Sequence, residues 1–201
     1  ALVFKNGQII LNKAYGWKDQ AKRIHNTINT QYCIGSVQKG QTAYLIMQAA
    51  KAGKLFLDEK LSNFYPQIPN SENISIKDML NMSSGLRVDE KKVAALNTTN
   101  TKEILSETIR QTTVVPNAGY SYQPVNYVLL AGILEKVYQN DYNSLFEKLL
   151  KKPMKLNETS FYSETNKEQA LSYSQSANGP IYAPTTVSSY ANEFGTGNVF
   201  M

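Results

Sequence analysis

Short apolar segments separated by turn residues open the chain, a pattern typical of β-strands. Residues 2–11 hold two apolar runs around Asn6-Gly7, a pair that favours the positive φ angles of a two-residue type I′ turn. These residues therefore predict a β-hairpin. Residues 14–17 continue its second strand in this interpretation, and the polar residues 18–29 predict a loop.

Apolar residues at helical spacing follow, alternating with polar stretches. The segment from Ser36 to Gly53 is apolar around much of its surface, as expected of a buried central helix. Ser75 can cap a shorter helix that Gly85 ends. The rest of the pattern predicts, in chain order, a helix-compatible polar stretch at 87–114, amphipathic helices at 128–137 and 142–150, and a loop at 163–190 with a turn at Gly179-Pro180.

The composition is that of a soluble globular protein. The 201 residues are 42% hydrophobic and 18% charged, and no apolar run approaches the roughly 20 residues of a membrane span. The start of the sequence reads directly as a strand and shows no signal-peptide pattern. Cys33 is the only cysteine, which excludes an internal disulfide and suits a cytosolic or an exported Gram-positive-type protein equally. Its apolar neighbours predict a small buried residue rather than a nucleophile.

The charge is positive but scattered. The formal net charge is +5, carried mostly by lysine, and arginine occurs only at Arg23, Arg87 and Arg110. A nucleic-acid interface would need a basic stripe with arginines and stacking aromatics, so no nucleic-acid partner is predicted. The net positive charge is compatible with weak attraction of the protein to an anionic cell-wall polymer. His25 is the only histidine, which excludes a His-rich metal site, and neither a metal nor an organic cofactor is predicted.

The candidate chemistry begins with a strand-like run that turns at Gly35 into the helix starting at Ser36. Ser36 and Lys39 are spaced i, i+3 and share one helix face. A serine hydroxyl becomes a useful nucleophile when a neighbouring base takes its proton, and the helix N-terminus can stabilise an oxyanion. A lone Ser-x-x-Lys is weak evidence, because an N-cap serine beside an exposed lysine is the commoner reading.

Longer stretches around this motif resemble one family. The matching segments are residues 32–58, 74–86 and 116–138, although Met82 stands where the family usually has histidine. They resemble the serine β-lactamase and penicillin-binding-protein superfamily, most closely its class C β-lactamase-related branch, which also holds esterases and D-amino-acid peptidases.

The resemblance implies roles for three side chains. Ser36 would be the nucleophile, and Lys39 and Tyr122 would form the proton-transfer pair, with the Ser36 N–H as one oxyanion donor. Tyr122 corresponds to the tyrosine of the family's Tyr-x-Asn motif. The chain has 13 tyrosines, and most tyrosines pack rather than react, so only the register of the following helix singles this one out.

The third motif position departs from the family. Pro124 stands where asparagine is usual and offers no side-chain hydrogen bond to a substrate. Asn126, two residues further on, is the candidate substitute as a substrate-binding residue. Gly197 is the second candidate substrate-binding residue, because residues 194–201 resemble the glycine turn that returns the chain to the active site.

The implied fold is α/β of the α+β type, β-lactamase/transpeptidase-like. Residues 1–58 and 165–201 are expected to form a partial α/β lobe that carries the nucleophile helix, and residues 59–164 an inserted helical lobe. The family's remaining C-terminal strands, with its third motif, have no counterpart here. The chain is therefore expected to be a C-terminally truncated part of the domain.

The resemblance implies a serine hydrolase that forms an acyl-enzyme. Its substrate would be a cell-envelope D-alanyl amide or ester, or a small ester, with β-lactams among the candidates. The expected location is the outer face of a bacterial cell envelope, in peripheral association, or the surrounding medium. One alternative is a catalytically impaired relative that binds a cell-wall ligand in the same cleft, as Pro124 would suit. Another is a basic interaction domain without catalysis.

Overall fold

The computed structural model describes residues 1–163, 165–171, 173–176, 179–184 and 193–201. Its helices are α1 (Val37–Lys51), α2 (Ile76–Leu80), α3 (Glu90–Ala95), α4 (Thr101–Gln111), α5 (Val125–Tyr138), α6 (Tyr142–Phe146) and α7 (Lys152–Met154). Its strands are β1 (Leu2–Lys5), β2 (Gln8–Asn12), β3 (Trp17–Asp19), β4 (Ile24–His25), β5 (Leu86–Val88), β6 (Thr112–Val114), β7 (Ser160–Phe161), β8 (Tyr173–Ser176), β9 (Gly179–Pro184) and β10 (Val199–Phe200). Short 3₁₀ turns lie at Leu61–Asn63 and Ser71–Asn73, and a π-helical turn at Glu147–Lys151 joins α6 to α7.

Within the described residues the strands pair two by two, and each pair is antiparallel. The pairs are β1–β2, β3–β4, β5–β6, β7–β10 and β8–β9. Asn6 and Gly7 both have positive φ, 51° and 79°, so the predicted turn and hairpin are confirmed. The β7–β10 pair joins distant parts of the sequence, because it brings residues 199–200 beside residues 160–161.

Two predicted loops contain strands. β3 and β4 form a hairpin within the predicted loop at 18–29, where the Trp17 and His25 rings stack with centroids 3.9 Å apart. The second strand of the first hairpin ends at Asn12 rather than continuing to residue 17, because its partner strand begins at Leu2, which pairs with Asn12. β8 and β9 likewise form a hairpin inside the predicted loop at 163–190.

Gly179-Pro180 begins β9 instead of forming the predicted turn. Residues 164, 172, 177–178 and 185–190 of that predicted loop lie outside the described residues. Ser is the commonest residue of the predicted loop at 163–190, and its loop preference concealed the β-forming residues Tyr173, Ile181 and Tyr182.

The core forms where α1 packs on α5. Side chains of both helices are fully buried there, including Leu45 and Ile46 of α1 and Leu129 and Leu130 of α5. Burying a side chain of this size contributes about 1.5–3 kcal/mol. The helix predicted at 128–137 is longer and less amphipathic than expected, because every residue from 125 to 134 is buried. α5 is therefore a central helix, covered by its neighbours on several sides.

Gly132 lets α5 approach its neighbours closely. A Cβ at this position would lie 2.6 Å from Leu105 Cδ2 and would also clash with the Tyr65 hydroxyl. Both of those side chains pack against the same core. A glycine inside this helix is therefore a packing requirement rather than a break in the helix.

The helix boundaries differ from the predictions in three places. Ser75 caps α2 with a reciprocal hydrogen bond to Asp78, as predicted, but α2 ends at Leu80 and the first left-handed residue after it is Met82, with φ 56°, not Gly85. The polar stretch 87–114 holds α3 and α4, and its two ends belong to the paired strands β5 and β6. The helix predicted at 142–150 is interrupted by the π-helical turn.

Candidate active site

A tight connection carries the chain from an extended segment into α1. Cys33 bridges Phe200 in antiparallel fashion, and Ile34 N donates to the Val199 carbonyl over 3.0 Å. Gly35 then adopts φ 51°, a left-handed conformation that glycine reaches without a Cβ penalty. Ser36 follows as the N-cap residue of α1. The turn therefore places the serine at the helix N-terminus, exposed to solvent.

Two side chains converge on the Ser36 hydroxyl. Lys39 Nζ donates to Ser36 Oγ over 3.0 Å, and the Tyr122 hydroxyl donates to the same oxygen over 2.7 Å. Lys39 is only 6% exposed, and its Nζ also donates to the Thr196 carbonyl over 3.2 Å. The reading of Lys39 as an exposed lysine beside a simple N-cap is therefore wrong, and Ser36 makes no side-chain capping bond.

The environment of Tyr122 makes its hydroxyl more acidic than an ordinary phenol. Burial acts to raise the pKa of Tyr122, but hydrogen bonds with Lys39 and Ser36 and the Lys39 charge outweigh it and lower the pKa below its ordinary value of 10.0. Lys39 Nζ lies 5.2 Å from the centroid of the Tyr122 ring. A phenolate beside an ammonium is a suitable acceptor for the proton of a serine hydroxyl.

Met82 positions Tyr122 by accepting hydrogen bonds from the backbone of the residues on either side of it. The Met82 carbonyl accepts from Ser121 N over 2.9 Å, and its Sδ accepts from Gln123 N over 3.4 Å. These bonds fix the backbone on both sides of Tyr122. The sequence indicated only packing and a turn for the segment around Met82, so this positioning contact was missed. A residue in the turn between α2 and β5 carries no local signal of such a contact.

Asn126 does not reach the cleft. Its side chain is buried at 1% exposure, its Oδ1 accepts from Ser84 Oγ over 2.6 Å, and its Nδ2 donates to the Gln123 carbonyl over 3.0 Å. Asn126 as a substrate-binding residue stays a prediction, and in this structure its polar atoms are used inside the protein. It holds the turn that precedes α5, while Pro124 is the N-cap residue of that helix.

Side chains of α1 hold the returning segment 195–199 against the nucleophile. Three of them contact this segment: Gln38 Oε1 accepts from Asn198 N over 2.6 Å, Lys39 Nζ donates to Thr196 O, and Thr42 Oγ1 donates to Gly195 O over 2.7 Å. Cys33, in the extended segment before α1, adds a fourth contact, because its Sγ donates to Gly197 O over 3.0 Å. Burial raises the pKa of the Cys33 thiol, in keeping with a structural rather than a nucleophilic cysteine. Sequence reasoning did not find the roles of Gln38 and Thr42.

Gly197 lies beside the nucleophile turn. A Cβ on Gly197 would lie 3.4 Å from the Gly35 carbonyl carbon and 2.9 Å from Glu193 Oε2. Its role as a substrate-binding residue stays a prediction. The Ser36 N–H makes no hydrogen bond with any residue that the structure describes, which leaves it available to an oxyanion.

No group of histidine, cysteine or carboxylate side chains within the described ranges could hold a metal ion. In the same part of the chain, every helix is too short or too polar to cross a membrane.

The helices and small antiparallel sheets define a mixed α/β protein of the β-lactamase/transpeptidase-like type. The chain belongs to the Beta-lactamase family, which it matches over residues 1–201. The resemblance drawn from the motifs and the predicted fold class are both confirmed.

Among curated proteins, the chain is similar to the teichoic acid D-alanine hydrolase of Staphylococcus aureus (strain MRSA252). The two are 29% identical over an alignment of 204 positions, which covers 99% of this chain and 50% of that protein. The chain thus spans about half the length of the curated relatives it matches.

Solved structures show the same fold. FmtA from Staphylococcus aureus superposes with a TM-score of 0.85 at 26% identity, over 100% of this chain and 55% of that one. The octameric penicillin-binding protein homologue from Pyrococcus abyssi gives a TM-score of 0.82 at 23% identity, over 99% of this chain and 48% of that one. The D-amino acid amidase from Ochrobactrum anthropi SV3 also gives 0.82, at 18% identity, over 99% and 61%.

Proposed function

We propose that this chain carries the nucleophile side of a serine hydrolase that cleaves D-alanyl esters of the bacterial cell envelope through an acyl-enzyme. The observation that carries the proposal is the convergence of Lys39 Nζ and the Tyr122 hydroxyl on one serine oxygen, over 3.0 and 2.7 Å. The likeness to a teichoic acid D-alanine hydrolase supports the substrate class.

Acylation begins with proton transfer. Tyr122, as phenolate beside the Lys39 ammonium, takes the Ser36 proton while Ser36 Oγ attacks the ester carbonyl carbon. The negative charge that develops on the carbonyl oxygen is accepted by the Ser36 N–H. When the tetrahedral intermediate collapses, the bond to the leaving alcohol breaks, and that alcohol takes the proton from Tyr122.

Deacylation repeats these steps with water. Tyr122 takes a proton from the water molecule, whose oxygen attacks the acyl carbon on Ser36. The bond between the acyl carbon and Ser36 Oγ then breaks, and Ser36 Oγ recovers a proton from Tyr122. This cleavage releases D-alanine. The positive charge of Lys39 stabilises the phenolate and the serine oxygen.

Pro124 favours an ester over an amide as substrate. An amide substrate gains from a side-chain acceptor or donor at the third position of the Tyr-x-Asn motif, and proline has neither. Asn126 does not replace it, because both polar atoms of that side chain are bonded inside the protein. Cleavage of D-alanyl amides and β-lactams is expected to be slow relative to cleavage of D-alanyl esters.

The two-lobe division belongs to the same proposal. Residues 1–58 and 165–201 would form the α/β lobe and residues 59–164 the helical lobe, with Ser36 at their junction. The contact between Tyr122 and Ser36 supports it, because it joins a residue of each proposed lobe.

We place the protein at the outer face of the cell envelope or in the surrounding medium. The substrate class supports this location, and a net charge of +5 suits peripheral association with a polyanionic cell-wall polymer.

Release of D-alanine tests the proposed function. The full-length protein is incubated with D-alanylated teichoic acid, and free D-alanine is measured over time against the Ser36→Ala variant. Release that depends on Ser36 is the expected result. A folded protein that binds the polymer but releases no D-alanine would instead support the catalytically impaired relative.

A further inference from the structure

A cavity of about 330 Å³ lies between α3, α4, the start of α5 and the turn at 193–196. Its walls are mostly apolar, with side chains of valine, alanine and proline. The apolar lining comes from Val88, Val93, Ala94, Pro124, Val125 and Val128. The proline that replaces the family's asparagine is therefore one wall of this cavity.

The cavity and the nucleophile share structural elements. Pro124 lies two residues after Tyr122, and Thr196, which also lines the cavity, accepts the Lys39 hydrogen bond through its carbonyl. Glu193 lies at the end of the cavity that Thr196 lines. A Cβ built on Gly197 would lie 2.9 Å from Glu193 Oε2 and 3.4 Å from the Gly35 carbonyl carbon, so Glu193 and the Gly35 turn are close together. A group bound in the cavity would therefore lie next to the Ser36 turn.

Two carboxylates, those of Glu90 and Glu193, line this mostly apolar space. Neither forms a salt bridge with a lysine or arginine among the described residues, in a chain whose net charge is +5. Glu193 Oε2 accepts from Thr196 Oγ1 over 2.8 Å, which fixes its carboxylate near the nucleophile. The charge of Glu193 also acts to raise the pKa of Tyr122, in keeping with a location close to the catalytic pair.

Among the parts of a D-alanyl ester, only the acyl side carries a positive charge. Its α-ammonium suits a carboxylate, and its methyl group suits an apolar wall. The polyol phosphate on the alcohol side is anionic and would be repelled by the same carboxylates. The arrangement therefore favours one direction of binding, with the aminoacyl group in the cavity.

We propose that this cavity is the aminoacyl subsite, in which Glu193, supported by the charge of Glu90, binds the substrate α-ammonium while Pro124 and the neighbouring valines contact the side chain of the amino acid. This inference rests on the proposed function, which it deepens. The enzyme would then select esters that carry an α-amino group over simple acyl esters.

A matched pair of esters tests the subsite. The phenyl ester of D-alanine and phenyl propionate share one leaving group and differ by the ammonium, and release of phenol gives kcat/KM for each. The two esters differ in intrinsic reactivity, so the readout is the ratio of their kcat/KM values in each variant relative to wild type. Because Glu193→Gln removes the charge that would pair with the ammonium, it should lower this ratio about 10-fold.

Further variants separate the contributions of Glu193 and Glu90 to this ratio from unrelated effects of losing a carboxylate. Glu90→Gln removes the second charge, on the α3 side of the cavity, and should lower the ratio by a smaller factor. Glu158→Gln removes an exposed carboxylate that does not line the cavity and should leave the ratio at its wild-type value. Glu193→Asp keeps the charge and should retain more of the ratio than Glu193→Gln. Thermal unfolding of each variant verifies that it is folded.

The outcomes distinguish the aminoacyl subsite from the serine hydrolase activity on which it rests. Turnover that depends on Ser36, with a ratio unchanged in both Glu193→Gln and Glu90→Gln, would overturn the aminoacyl subsite and leave the hydrolase standing. Absence of turnover of both esters by the wild-type protein would overturn both proposals together.

Discussion

Removal of one hydroxyl group, in Tyr122→Phe, isolates the proton transfer to and from Ser36. The Tyr122 hydroxyl lies 2.7 Å from Ser36 Oγ, and its pKa is lowered from 10.0 by Lys39 and Ser36 against the opposing effect of burial. A positioned general base contributes about 10²–10⁴-fold to the rate, so acylation should slow by that factor. The Tyr122 side chain is 48% exposed, so the loss of its hydroxyl should leave folding intact.

The assay for Tyr122→Phe is the single-turnover rate of Ser36 acylation by an activated ester, followed from pH 6 to pH 10. The phenolate exists above the pKa of Tyr122, so activity in the wild-type protein should rise with pH through that pKa, at a pH below 10. The rise should be absent in Tyr122→Phe. Tyr120→Phe is the matched control, because Tyr120 is 74% exposed and makes no contact with Ser36 in the described structure.

An acylation rate for Tyr122→Phe within about threefold of wild type, with the same rise in pH, would refute the assignment of Tyr122 as the base. It would leave Lys39 as the base, with the tyrosine in a positioning role only.

Three further predictions concern charge and packing. Lys39→Met removes the ammonium that stabilises the phenolate and should slow acylation at least about 100-fold, measured in the same assay; an unchanged rate would contradict it. Gly132→Ala should lower the free energy of unfolding in urea by about 1–3 kcal/mol, because its Cβ meets Leu105 and Tyr65. Gly40→Ala, which has open space in α1, should instead raise it by about 0.5–1 kcal/mol, and equal effects would contradict the packing argument. Ser75→Ala should cost about 1 kcal/mol in the same titration by removing the α2 cap, whereas no change would show that the cap is dispensable.

The parts of the fold that local chemistry determines could be predicted from the sequence. Asn6-Gly7 determines a turn whatever surrounds it, and Ser75 with Asp78 forms a cap within four residues. The pairing of Ser36 with Lys39 also follows from helical spacing alone. The resemblance added Tyr122, which lies 86 residues further along the chain and has no local signal.

The parts that depend on distant contacts could not be predicted. Asn126 has the side-chain amide that a substrate contact would need, but the packing of α5 directs that side chain toward Ser84. Met82 stands where the family has histidine, and its contact with the Tyr122 loop exists only after two distant segments pack. Glu193 and Thr196 reach the site through the return of the chain onto α1. Each of these residues is defined by tertiary structure rather than by its neighbours in sequence.

The central claim, that Ser36 is an activated nucleophile, is tested most directly by intact mass spectrometry. The full-length protein is treated with a fluorophosphonate and, separately, with a penicillin, beside the Ser36→Ala variant. The account predicts a single fluorophosphonate adduct that maps to Ser36 and is absent from the variant, with little or no penicillin adduct. A folded protein that forms no adduct, or forms it equally in Ser36→Ala, would contradict the account.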